Sequence, residues 1–171
     1  AEKSNLPKFY LNLKSYRKSL SSNSNPYTPA VNLVFALDEA LKMMREEGLG
    51  NIFLRHQKHK LAMSNAVKAL NLKLFADEKD LSPSITAIKT GEMDAEEFRK
   101  TIKNKFDILL AGGQDHLKGK IFRVGHLGYI NDRDIITVVS AISKTLLDLG
   151  KITAHQAGEA LIVTSKYLEE N

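Results

Sequence analysis

Lys120-Ile121-Phe122-Arg123-Val124-Gly125-His126 alternates side-chain types with the period of two that a β-strand imposes. Phe122 and Val124 fall on one face, and Arg123 with Gly125 on the other. If the apolar face meets helices, Arg123 projects from the open face of a sheet between small neighbours. An arginine so placed suits bidentate capture of a carboxylate or phosphate, which a lysine performs with less geometric definition. An internal ion pair fits the same pattern, and the sequence leaves both readings open.

Working outward, Gly112-Gly113-Gln114 opens a polar loop ending at Gly119, and Asp107 to Leu110 reads as a short strand before it. Asp94 with Glu97 three residues on forms a capping box for a helix to about Lys105. Leu72 to Phe75 and Ile85 to Ile88, separated by the turn-rich Asp77 to Pro83, predict two more strands. Downstream, a long helix starts at Asn131 or Asp132 and carries Ile135, Val138, Val139, Ile142, Leu146 and Leu149 on one stripe before Gly150. A final helix is expected over about 153–168.

Towards the N-terminus, Thr28 before Pro29 predicts a hydroxyl N-cap and a first-turn proline. The helix they open runs over 29–47, with Leu33, Leu37, Leu41 and Met44 at helical spacing and Gly48 as its stop. A second helix follows over about 50–70, capped by Asn51, with Leu54, Leu61, Met63 and Val67 as partial core positions. Residues 1–29 read as a leader and then a loop rich in Ser and Asn. Few strands with helices between them give an α+β fold: a two-layer sandwich with a small, mostly antiparallel sheet covered by helices on one face.

Composition is compatible with this and narrows the chemistry. A chain of 171 residues, 43% hydrophobic, is long enough for one well-buried core. Having no Cys, it holds no disulfide scaffold, zinc-cysteine site or thiol nucleophile. Its apolar runs are a few residues long, against the roughly 20 a membrane helix needs, so it is expected to be soluble and cytoplasmic. The net charge of +5 is interspersed except in the first twenty residues, where Lys3, Lys8, Lys14, Arg17 and Lys18 face only Glu2. That excess reads as solvated surface, with an acidic or nucleic-acid partner as the alternative.

Two other features invite and fail sharper readings. The loop from Gly112 to Lys120 has the wrong spacing for a phosphate loop, and Ile121 stands where Ser or Thr is required. It remains a close-approach loop beside a ligand or domain. His56 and His59 share a helix face, and His116 and His126 flank the basic strand, but no carboxylate at ligand spacing joins them, so structural roles are expected and no metal.

The run Asn25-Pro-Tyr-Thr-Pro-Ala-Val31, the Arg55-His56 pair, Ser82-Pro-Ser-Ile-Thr-Ala87, and Ala111-Gly-Gly-Gln114 leading into Gly119-Lys-Ile-Phe-Arg-Val-Gly-His-Leu-Gly128 together resemble the C-terminal portion of class V aminotransferases. The branch is similar to the alanine:glyoxylate and serine:glyoxylate (serine:pyruvate) aminotransferases, including proteins labelled soluble hydrogenase subunits. The resemblance implies a pyridoxal 5'-phosphate (PLP) enzyme of fold type I, a homodimer with a large cofactor domain and a small C-terminal domain. It implies that residues 1–29 end the large domain, that 30–171 form the small one, and that helix 29–47 links them. By the same resemblance Arg123 binds the substrate α-carboxylate and Thr28 contacts the cofactor phosphate of the neighbouring subunit. Asn25 stands where some members carry a second phosphate ligand, a Tyr. No lysine here matches the Schiff-base motif, so the chain is expected to be a C-terminal fragment, inactive alone, of an enzyme moving an amino group from alanine or serine to a 2-oxo acid such as glyoxylate or pyruvate. The competing reading is a stand-alone α+β module binding an acidic partner or nucleic acid. A hydrogenase role has no thiolate ligands to support it.

Overall fold

The computed structural model describes residues 5–169; residues 1–4 and 170–171, including Glu2 and Lys3 of the basic leader, lie outside the described residues. The chain divides into two compact units, residues 1–48 and 49–171.

In the first unit, the stretch read as a leader and then a loop carries a short helix, α1 (Leu13–Leu20), with Asn12 as its cap. The Asn12 side chain accepts a hydrogen bond from the Lys14 amide at 3.2 Å. The Tyr27 hydroxyl donates to the Phe9 carbonyl at 2.7 Å, and its ring meets those of Phe9 and Tyr10, fastening the loop after α1 to the segment before it. Helix α2 (Val31–Glu47) begins two residues later than expected, with Ala30 and not Thr28 at the cap. The reason is local. Ala30 sits at φ −77° and ψ 70°, and the Val31 amide donates to the Pro29 carbonyl at 2.9 Å. Those are the features of an inverse γ-turn, which uses up the residues between Thr28 and the helix. Gly48 closes α2 at φ 81°, a conformation that favours glycine. No residue of α2 is buried; Leu33 is 71% exposed, and Leu37, Leu41 and Met44 are exposed with it.

The second unit opens with α3 (Leu49–Ala69) and continues through β1 (Lys73–Leu74), β2 (Ile85–Lys89), α4 (Ala95–Phe106), β3 (Ala111–Gly112), β4 (Ile121–Gly125), α5 (Asp132–Asp148) and α6 (Ala154–Glu169). The sheet runs β1-β2-β4-β3 with every neighbouring pair antiparallel. Ile88, Phe122 and Val124 turn one face into the helices, where they meet Met63, Phe98, Ile142 and Leu146 in a single core. This is the expected two-layer α+β arrangement. Phe98 of α4 and Phe122 of β4 meet with tilted rings, centroids 5.1 Å apart, a contact that adds to the apolar burial around them.

Three expectations need correction in detail. The strand expected at Asp107–Leu110 forms instead at Ala111–Gly112, because Asp107 takes the left-handed conformation (φ 55°) to close α4 and spends the following residues on the connection. Met63 and Val67 are core, but Leu54 is 68% exposed and Leu61 only partly covered, since α3 buries its C-terminal half alone. Leu149, placed on the stripe of α5, is exposed beyond the helix end. Of the expected caps, Asn51 lies inside α3, which starts at Leu49, and Asp94 accepts from the Glu96 and Glu97 amides as one half of its box, while Asn131 forms a full capping box with Asp134.

Candidate functional site

Strand β4 lies between β2 and β3, and the register sets Arg123 opposite Ala87 on one side and Ala111 on the other. These two methyl groups and Gly125 leave the face around Arg123 low. Arg123 is half-buried; its Nε donates to the Gly112 carbonyl at 3.0 Å. No carboxylate of the described residues pairs with it, so the internal ion pair that the sequence left open does not form. A guanidinium held at Nε keeps its two Nη groups as a forward fork, the geometry that receives a carboxylate or phosphate through two parallel bonds.

Close approach demands glycine at 113, where the partner is the chain's own backbone, and at 112 brings the ends of two side chains against the loop. A Cβ on Gly112 would stand 2.5 Å from Arg99 Nη1 and 2.6 Å from Glu96 Oε1, and one on Gly113 would stand 2.1 Å from the Leu117 carbonyl oxygen. The Gly113 approach leaves no room for a side chain, and a methyl at 112 would push the ends of Arg99 and Glu96 aside. Gly113 also lies over Ile121, which explains why Ile121 is buried on the face that carries Arg123.

The segment between β4 and α5 is fixed by residues that the sequence did not associate with it. Arg55 donates to the carbonyls of Gly128 at 3.1 Å and Ile130 at 2.8 Å. His126, fully buried, has Nδ1 3.1 Å from the Pro83 carbonyl and Nε2 2.8 Å from the Thr86 hydroxyl. A carbonyl only accepts, so Nδ1 carries the proton and the Thr86 hydroxyl donates to Nε2. Burial holds the His126 imidazole neutral, lowering its pKa to about 4.

His59, also fully buried, places Nε2 2.8 Å from Asp132, which takes a second bond from Lys58 at 3.0 Å. Burial lowers the His59 pKa against the pull of Asp132, so a neutral ring donates from Nε2 and its Nδ1 lone pair is left without a partner. Burial pushes the Asp132 carboxyl up, but the bonds from His59 and Lys58 outweigh it and hold the pKa below its ordinary value. His56 bonds the Ile52 carbonyl within its own helix, and His116 is exposed. His56, His59 and His126 are hydrogen-bonded within the fold, and among the described residues no group of three or more His, Asp or Glu is arranged to hold a metal.

Thr28 and Asn25, in the first unit, both line an open depression with Tyr10, Ser24 and Tyr27. Both are exposed, and neither side chain has a hydrogen-bond partner among the described residues. The first turn of α2 just beyond them contains no acidic residue.

No protein-family model matches the chain. Similarity to individual proteins is nevertheless extensive. The chain is 53% identical over 145 residues to the soluble hydrogenase 42 kDa subunit of Anabaena cylindrica, covering 85% of this chain and 38% of that protein. It is 32% identical over 169 residues to a serine–glyoxylate aminotransferase of Methylorubrum extorquens, covering 97% and 41%. The crystal structure of a ureidoglycine–glyoxylate aminotransferase from Bacillus subtilis superposes with a TM-score of 0.88 at 29% identity, over 99% of this chain and 44% of that one. The chain therefore spans about two fifths of the length of the relatives it matches. Its homologues are class V aminotransferases and soluble hydrogenase subunits, and it corresponds to a C-terminal portion of them. No helix among the described residues is long and apolar enough to cross a membrane.

Proposed function

We propose, from homology to the C-terminal portion of class V aminotransferases, that residues 30–171 form the small domain of a PLP-dependent transaminase, that residues 1–29 end its large domain, and that the chain supplies the carboxylate clamp. The parent enzyme would move an amino group from a small amino acid, alanine or serine, to a 2-oxo acid such as glyoxylate or pyruvate, working as a homodimer. The observation that carries the reading is Arg123: an arginine between two alanines, anchored at Nε, with no carboxylate of the described residues in its fork.

In this role Arg123 binds and orients. A two-point bond to the α-carboxylate removes rotation of the substrate about that end and fixes the direction of its Cα–H bond, which lowers the entropic part of the barrier. Ala87 and Ala111 leave room for the carboxylate to approach the fork. Arg55 and His126 hold the segment after β4 and so keep the strand end in register.

The residues of the first unit fit a phosphorylated cofactor: Thr28 and Asn25 offer an exposed hydroxyl and amide beside a helix start free of acids, groups that donate to an anion. We assign Thr28 to the cofactor phosphate of the neighbouring subunit, and Asn25 to a weaker contact with it. PLP supplies the electron sink for the carbon bearing the labile proton. The lysine that holds it and the acidic partner of its ring nitrogen belong, in this reading, to a large domain of the same parent chain; the 171 residues alone are inactive. Similarity to an aminotransferase over 97% of the chain favours this reading over a stand-alone binding module.

The test is amino transfer by the full-length protein from alanine and serine to glyoxylate and pyruvate. Arg123→Ala is expected to lower kcat/KM by about a hundredfold or more, the size of a lost charge-assisted bidentate bond. Near-normal kinetics in that variant would sink the assignment.

A further inference from the structure

We propose that the Glu96–Arg99 ion pair of α4 is a positioning device for the carboxylate site, acting on Arg123 through the edge strand β3. The inference rests on the reading of Arg123 given above.

Strand β3 is two residues long and lies at the edge of the sheet, with β4 as its only neighbour among the described residues. A strand so short has little hold of its own, yet its Gly112 carbonyl is the anchor for Arg123 Nε. Helix α4 grips the same strand from the far side. Arg99 Nε donates to the Leu110 carbonyl at 2.7 Å, while its Nη1 donates to Glu96 Oε2 at 2.7 Å. The pair then lies against Gly112, where even a methyl group would collide with both Arg99 Nη1 and Glu96 Oε1.

One guanidinium thus spans a backbone carbonyl and a carboxylate at fixed angles, which a lysine reproduces poorly. Glu96 holds Arg99, Arg99 holds residue 110, and the pair sets the position of residue 112, whose carbonyl fixes the plane of Arg123. Without the pair, the Arg123 side chain has to be ordered when substrate arrives. Ordering one such side chain costs about tenfold in affinity.

The experiment uses the full-length enzyme as wild type, Arg99→Met, Gly112→Ala, Arg123→Lys and the double variant Arg99→Met/Arg123→Lys, with KM and kcat for a small amino acid and thermal unfolding recorded for each. The expected result is a KM raised about tenfold in Arg99→Met and Gly112→Ala, with kcat within about twofold of wild type. Adding Arg99→Met to Arg123→Lys is expected to raise KM no further, because both act through one group. An Arg99→Met enzyme with wild-type KM, beside an impaired Arg123→Lys enzyme, overturns the positioning role and leaves Arg123 as the clamp. Wild-type KM in Arg123→Lys overturns both. If Arg99→Met does not fold, Arg99→Lys replaces it: a raised KM at wild-type melting temperature supports the role, and an unchanged KM overturns it. Parallel loss of kcat and melting temperature assigns the pair to the scaffold and overturns it too.

Discussion

Helices α2 and α5 are both seventeen residues long and both carry apolar side chains at helical spacing, yet one buries nothing and the other buries eight residues. Ile135, Val139, Ile142 and Leu146 of α5 are closed off by the sheet and its sister helices, whereas Val34, Phe35, Leu37 and Leu41 of α2 stay exposed. Periodicity reports that a helix has a face to bury; it does not say where the covering surface is. In this chain the contrast separates a body that holds its own core from a helix whose apolar face has no cover among the described residues.

The largest effect expected from the contrast is on stability. Ile142→Ala removes buried atoms from α5 and should destabilise the chain by about 2–5 kcal/mol, while Leu37→Ala on α2 should change it by less than about 0.5 kcal/mol. Equal losses in denaturant unfolding would show that α2 is packed as α5 is, and would break the comparison.

Acid sharpens it next. His126 is neutral in the folded chain with a pKa of about 4, whereas the unfolded chain takes up a proton near the ordinary 6.5. The stability tied to its neutrality is therefore complete above pH 6.5 and lost as the pH falls towards about 4, by up to about 3 kcal/mol. His59, lowered by burial as well, acts in the same direction. Hydrogen exchange in β4 and α5 should accelerate beyond its intrinsic pH dependence over this range, and His126→Gln should flatten the profile. An unchanged profile would remove His126 from the account.

Smaller still is the cap. Asn131→Ala deletes the side-chain half of the capping box of α5, leaving the bond from its own amide to Asp134, and should cost about 1 kcal/mol in thermal unfolding. On α2, where Lys42 pairs with Asp38 at 2.8 Å on an exposed face, Lys42→Ala should cost about 0.3 kcal/mol at low salt and less at high salt.

What the sequence made legible was whatever a short window decides. Alternation through Ile121–Gly125 placed Arg123 opposite the core side, and Asn131 announced the start of α5 from its own side chain. Backbone geometry interfered where a turn consumed residues that pattern had assigned to an element: the γ-turn at Ala30 displaced the start of α2, and the left-handed Asp107 displaced β3. Contacts between distant residues left no local trace. The Thr86–His126 bond joins positions 40 apart, and the Arg55 bond to Ile130 joins positions 75 apart. The same holds for the site itself. The arginine was visible, but its alanine neighbours and its Gly112 anchor follow from strand register, which the alternation of one strand cannot supply.

The central claim is that Arg123 receives a carboxylate, and it is tested most directly by binding without reaction. Propionate, which has the carboxylate and no amino group, is titrated against the full-length protein as wild type and as Arg123→Ala, by competition with the amino donor. The expected result is a dissociation constant weaker by at least about tenfold in the variant at an unchanged melting temperature. Equal affinity in the two proteins would contradict it.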